Sequence, residues 1–411
     1  MDDNMDCNEE VEVVELDEND PRVSALDEMA DNASLEGQLD ESDYVEEQQD
    51  AQNEPSRDDA SVVFSTHTGS VFSVDVSKNG QYVASGGEDD LAYLWQIHNG
   101  NTIMKCCGHK DSVSSVAFNH DSSLLATADV AGNIKVWKLP SAVLYWSEDS
   151  NGVDQEWISW HPFANVLGAG INDGVVWIWQ VPSGRCKTYL GNNSPTLCGH
   201  LMNDGAHAIA GYKDGTVRVW DMKNNTPMEL KVSAPTVNVL SVASLIITDE
   251  EDKPTSLNPV VKAAAGCEDG TVTVFHPGNG KLFARLQAGF ATSDDGSCGI
   301  EAMVFSPQDG QYLATASLSG TMAVWDIARQ TAVYTMPHPA SVIRIRWMPQ
   351  SVFVVSACLD GIVRVWDVRS GQCVRDYLGH RDDILDMVLS DTSKAVVSAS
   401  SDGTVRIFSL A

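Results

Sequence analysis

The segment DGIVRVWD, Asp360–Asp367, decides how the rest of the sequence is read. Its Asp-Gly pair supplies a tight turn, because glycine accepts the left-handed backbone that such turns need. Apolar and polar side chains then alternate, the period of a strand with one buried face. Trp366 closes the strand and Asp367 follows it. Working outward, the unit recurs as DDLAYLW to Trp95, AGNIKVW to Trp137, DGVVWIW to Trp179 and DGTVRVW to Trp220. It continues as DGTVTVF to Phe275, SGTMAVW to Trp325 and DGTVRIF to Phe408. Successive aromatic anchors stand 42, 42, 41, 55, 50, 41 and 42 residues apart. A period of about 40–45 residues is that of four-stranded blades set around an axis.

Other residue types keep the same phase. His67, His109, His338 and His380 precede their anchors by 28 residues. Ser85, Thr127, Thr315, Ser356 and Ser398 precede theirs by 10, and Asp89, Asp173, Asp214, Asp269, Asp360 and Asp402 by 6. Two units hold the full set: His67, Ser85, Asp89 and Trp95, and His338, Ser356, Asp360 and Trp366. An indole N–H only donates, hydroxyl and imidazole do both, and a carboxylate accepts. In series they satisfy one another, so these are read as structural tetrads that pin each blade. A His and an Asp beside a Ser suggest a hydrolase triad, but recurrence in several units argues against catalysis. In the second and sixth units Ala131 and Ser319 stand where the turn Asp is expected.

The expected architecture is all-β: an eight-bladed β-propeller over residues 61–411, preceded by a disordered acidic arm over residues 1–60. Only Ser409, Leu410 and Ala411 follow Phe408, so the last unit lacks its outer strand. The β-prone run Ser61–Ser65 is expected to supply it, closing the ring and removing two exposed sheet edges. The long spacings mark insertions at about Ile247–Pro259 and Gly289–Gly299, expected as surface loops on opposite faces.

The 411 residues include 58 Asp+Glu and 26 Lys+Arg, a formal charge of −32. Residues 1–60 carry 23 of the acids and only Arg22 and Arg57 as bases, with one Tyr and no Trp or Phe. Such a segment cannot bury enough apolar surface to offset its ordering entropy. A chain this acidic is a poor binder of nucleic acid or anionic lipid and favours basic partners. No apolar run reaches 18 residues and no secretory signal is visible, so a cytoplasmic protein is expected, with nuclear or peripheral plasma-membrane locations also open. The nine cysteines form no Cys-x-x-Cys pair, which fits free thiols in a reducing compartment.

Candidate binding residues lie in the turns that carry the phased Asp and in the links between units: Glu88, Asp90, Asp111, Asp129, Asp154, Glu156, Trp157, Lys213, Glu268, Arg344, Asp382 and Asp383. A surface so rich in acids steers a Lys/Arg-rich segment. Trp157 falls out of phase with the core positions Ile158 and Trp160, which leaves it either an exposed binding anchor or a Trp packed in its loop. No phosphate loop, dinucleotide fingerprint or zinc-protease motif is present. No catalytic residue, metal site or cofactor is therefore assigned, and a monomeric binding protein is expected.

At these residues the chain resembles WD-repeat propellers. The runs GGEDDLAYLW (Gly86–Trp95), GHKDSVSSVAFNHDSSLLAT (Gly108–Thr127), EWISWHP (Glu156–Pro162) and LDGIVRVWD (Leu359–Asp367) are similar to the family of angio-associated migratory cell protein and its fungal relatives. The resemblance implies two roles. One is chaperoning a basic large-subunit ribosomal protein during ribosome biogenesis. The other is a cytoplasmic signalling scaffold in cell migration.

Overall fold

A computed structural model describes residues 55–149, 154–191, 193–224, 226–247, 260–289 and 298–410. Residues 1–54, on which most of the acidic-arm expectation falls, lie outside the described residues, as do most of both expected insertions. The described chain forms 32 strands, β1–β32 in chain order, in eight antiparallel four-stranded sheets. In blade one the strands β2 (Val71–Val76), β3 (Tyr82–Gly87), β4 (Ala92–Gln96) and β5 (Thr102–Cys106) run outward from the axis in sequence order. The next six blades repeat this order. Ile247–Pro259 falls between the first and second strands of blade five, and Gly289–Gly299 links blade five to blade six.

The eighth blade is composite. It is built from β30 (Ile384–Ser390), β31 (Ala395–Ser400), β32 (Val405–Ser409) and β1 (Val62–Phe64). Val62 pairs with Ile407 and Phe64 with Val405, so the two ends of the repeat region share one sheet. The seating begins earlier than the sequence indicated. The Asp59 N–H donates to Leu378 O at 2.8 Å, and the Leu378 N–H donates back to the Asp59 carboxylate at 2.9 Å. Asp58 forms an ion pair with Arg406. Residues 55–60, read as arm, thus lie against blades seven and eight.

Alternation explains the core. In β7 (Leu124–Asp129) and β31 every residue is buried, because these second strands are covered by a blade on each side. One cluster packs Val71, Val74, Val83 and Trp95 of blade one against Val397, Ala399, Val405 and Ile407 of blade eight. Phe64 stacks on Trp95 with ring centroids 4.6 Å apart, so the closing strand also reaches into blade one.

Polar side chains cross the joints between blades near the axis. Asp386 of blade eight accepts the Val74 N–H of blade one at 3.0 Å, and Asp75 accepts the Phe118 N–H of blade two at 2.8 Å. The Trp160 Nε1–H donates to Ala117 O at 2.9 Å, and Ser159 Oγ accepts the Leu201 N–H at 3.0 Å. His200 meets Ser244 at 2.6 Å, Ser241 donates to Ile300 O at 2.6 Å and Ser341 to Leu318 O at 2.6 Å. Arg344 donates to Asp386 at 2.9 Å and completes the circuit of all eight joints.

Closure sets a stability prediction. A chain starting at Thr66 melts below a chain starting at Pro55, because it loses β1 and leaves β32 as an open edge. Phe64→Ala in the full chain costs about 3–5 kcal/mol of unfolding free energy. Equal melting temperatures for the two truncations would contradict the closure.

Candidate functional site

The tetrads come first, because they shape the turns at one face. In blade one the Trp95 Nε1–H donates to Ser85 Oγ at 3.3 Å, Ser85 meets His67 Nε2 at 2.9 Å, and His67 Nδ1 meets Asp89 at 3.0 Å. Blade eight keeps His380–Ser398 at 2.8 Å and His380–Asp402 at 3.0 Å, with Phe408 in place of the indole.

Blade two departs from the sequence reading. Asp129, counted there as a surface candidate, is fully buried and meets His109 Nδ1 at 3.1 Å. It fills the role that Ala131 leaves vacant, and Asn133 donates to it at 2.9 Å. Blade seven also departs. His338 still meets Ser356 at 2.8 Å, and Trp366 donates to Ser356 at 3.0 Å. Asp360, however, is taken by Arg364 at 2.6 Å, and His338 Nδ1 turns to Met336 O at 3.1 Å. A guanidinium offers two charge-assisted donors and outcompetes a neutral imidazole. Burial, with the Arg364 charge nearby, holds the His338 pKa down at about 4.

The turn between the second and third strands of each blade sits beside the link that leads into that blade. Glu88 N–H donates to Ser70 O at 2.9 Å, Glu268 N–H to Asn238 O at 2.9 Å and Ser401 N–H to Asp383 O at 3.0 Å. These segments therefore form one face, called here the link face. Glu88, Asp90, Asp111, Asp154, Glu156, Glu268 and Asp382 are exposed on it and Asp383 is half-buried. Asp173 and Asp269 add to the set. Lys110, Lys213 and Arg381 are also exposed there, and Lys110 pairs with Asp149 at 2.7 Å. Partial burial and then Asp154 hold Glu156 above its ordinary value, and burial and then Asp382 do the same for Asp383. Glu88 is shifted the other way, down, by the Ser70 N–H. On the opposite face acids and bases stand together, as in Asp326–Arg329 at 2.9 Å and Asp367–Arg369 at 3.0 Å.

Trp157 is not a surface anchor. It is 7% exposed and packs with Leu201 and Tyr212 of blade four. It occupies the third position of β10 (Gln155–Trp160), where Ser73, Ser241 and Ala302 stand in other inner strands. In those three blades the position is filled by a small residue, whereas blades seven and eight carry Arg344 and Asp386 there. Room for an indole comes from two glycines. A Cβ on Gly170 would lie 2.1 Å from Trp157 Nε1, and one on Gly199 2.4 Å from its Cζ2.

An axial cavity of about 580 Å³ opens along the innermost strands. Its acidic and basic lining residues are Asp75, Glu156, Glu301, Arg344, Arg346 and Asp386. Arg344, read from sequence as part of the outer face, points into this cavity and pairs with Asp386 at 2.9 Å. Sequence reasoning missed Asp75, Glu301, Arg346 and Asp386. For all but Glu301 the signal was a fixed offset: Arg344 and Asp386 each precede an anchor by 22 residues, and Asp75 and Arg346 by 20. Among the described residues no cluster of His, Cys, Asp and Glu could hold a metal, and no helix is long and apolar enough to cross a membrane.

Two predictions follow from this geometry. Burial raises the Asp402 pKa, but the His380 bond and charge outweigh it, and the carboxyl ends far below its ordinary value. A depressed carboxylate stabilises the fold above its unfolded pKa of about 3.9, and this is lost as pH falls toward the folded value. Asp402→Asn therefore lowers stability by about 1–3 kcal/mol at neutral pH, and the gap to the parent narrows below about pH 4. Urea titrations at both pH values check this, and a constant gap would contradict it. Trp157→Ala costs about 3–5 kcal/mol, as a core truncation does. An unchanged melting temperature would return Trp157 to the surface.

Comparison with known proteins agrees with this architecture. The family model "WD domain, G-beta repeat" matches residues 60–96, 100–138, 184–221, 292–326, 330–367 and 371–409. Human angio-associated migratory cell protein is 36% identical over 412 residues, covering 97% of this chain and 92% of that protein. The ribosome assembly protein SQT1 of Saccharomyces cerevisiae is 22% identical over 405 residues, covering 91% of this chain and 92% of that protein. The crystal structure of Chaetomium thermophilum Sqt1 bound to the N-terminus of the ribosomal protein L10 has a TM-score of 0.73 at 22% identity, covering 86% of this chain and all of that one. The chain belongs to the WD-repeat family, as an eight-bladed member grouped with angio-associated migratory cell protein.

Proposed function

We propose that this protein is a non-catalytic escort that holds a basic segment of a large-subunit ribosomal protein on its link face during ribosome assembly. It acts as a cytoplasmic monomer. The observation that carries the reading is the segregation of carboxylates, from Glu88 and Asp111 round to Asp382 and Asp383, on one face of the ring. Burial lifts Glu156 and Asp383 above their ordinary values, and a cationic segment relieves the repulsion from Asp154 and Asp382 that adds to it. Long-range attraction of this sign speeds encounter and suppresses acidic competitors. The Sqt1 relatives support the choice of client, since one of them is seen bound to a ribosomal protein N-terminus.

A second reading, a scaffold in cell migration, is favoured by the 36% identity to angio-associated migratory cell protein along nearly the whole chain. Salt separates the two. Electrostatic holding weakens steeply with ionic strength, because exposed charges are screened beyond about 10 Å at 0.1 M. Packing of a signalling partner on apolar surface persists.

The test is binding of an N-terminal peptide of ribosomal protein L10 at low and high salt. Affinity falls about tenfold or more with the double change Glu88→Lys and Asp111→Lys, at unchanged melting temperature. Absence of binding at low salt, or parental affinity in the double variant, would refute the escort reading.

A further inference from the structure

Every inner strand carries a break in its pairing register at the same place. The shift falls between the first and third residues of all eight, from Val71/Ser73 in blade one to Ile384/Asp386 in blade eight. The residue between them is the bulged one, displaced from the ladder, and bulges re-aim side chains. In blades three to six the bulged residues are Glu156, Leu197, Leu240 and Glu301, and all four line the axial cavity. Two carboxylates thus bracket two leucines at the link-face end of the cavity. Deeper, at the fifth position of their strands, stand Asp75 and Arg346.

The charges of this lining are unequally used. Asp386 is held by Arg344 and by the Val74 N–H, and Asp75 by the Phe118 and Val76 N–H groups. Glu156 and Glu301 have no hydrogen bond or ion pair among the described residues. Gln155 is buried beside Glu156 but does not line the cavity, and the unpartnered Trp157 Nε1 lies against Gly170 in the joint with blade four.

We propose that the axial cavity is a receptor for one cationic side chain, arginine or lysine, of the bound basic segment. The aliphatic stem lies on Leu197 and Leu240, and the charged head sits between Glu156 and Glu301. Long basic side chains bury stems and keep heads on polar partners in just this way. Arg346 below sets the depth, because a second cation is repelled there. The inference rests on the escort reading and adds a division of labour to it. Glu156 stands at the cavity mouth; the other exposed acids of the link face govern encounter, and the cavity governs residence.

Glu156→Gln with Glu301→Gln is the test, because it keeps shape and removes charge. Burial holds both carboxyls above their ordinary values, so the double variant melts at or above the parent temperature. With the L10 N-terminal peptide as probe, its dissociation quickens about tenfold and association changes less than about twofold. Glu88→Lys with Asp111→Lys gives the converse, slower association and a shallower salt dependence. If the peptide binds the parent and dissociates from the Gln variant at the parental rate, the cavity assignment is wrong and the escort reading stands. If the peptide does not bind the parent, the escort reading fails, and arginine amide alone decides the cavity. Chemical-shift changes at Leu197 and Leu240 that vanish in the Gln variant support the receptor. No changes overturn it.

Discussion

Closure of the ring is the constraint on which everything else depends. Seven blades are each built from consecutive strands, but the eighth needs Val62–Phe64 from the start of the repeat region to complete a sheet whose other strands come from its end. Until that pairing forms, β32 presents a bare edge and blade eight lacks its outer strand. Once it forms, side chains bridge all eight joints near the axis, and the Asp58–Arg406 pair with the Asp59–Leu378 exchange fixes the segment leading into β1. The apolar clusters supply most of the favourable burial. The polar bridges fix the register in which each blade meets the next.

That geometry also creates the functional asymmetry. In an antiparallel blade the links and the second-to-third turns share one end, so residues at two phases of the repeat accumulate on one face. Acids at those phases are exposed and crowded. Acids at the other end, such as Asp326 and Asp367, pair with an arginine two or three residues on. The fold thus converts a periodic sequence into a disc with one strongly negative side, without any residue having to be catalytic.

Much of this was legible because the repeat supplies many independent matches. Strand identity, blade number and the completing strand all follow from the phase of Trp95 to Phe408. The failures share a cause: phase reports position and not competition. Asp360 is in phase, yet Arg364 four residues on takes it from His338. Asp129 is out of phase by two residues, yet it fills the missing role, because the turn between it and Asn133 brings it to His109. Trp157 was placed by strict alternation, but the bulge at Glu156 resets the alternation, and Gly170 and Gly199 make room for the indole. The charges of the axial cavity were hidden for another reason. Arg344, Asp386, Asp75 and Arg346 are far apart in sequence, and only the closed ring brings blades seven, eight and one together.

The central claim is that the closed ring uses its negative link face to hold a basic protein segment. Amide hydrogen exchange on the full chain, with and without the N-terminal peptide of ribosomal protein L10, tests it most directly. The account predicts slowed exchange in the links at residues 67–70, 107–112 and 378–383 and in the turns at 88–91 and 268–270. Protection confined to the opposite turns, at residues 77–81, 327–330 and 368–371, would contradict it.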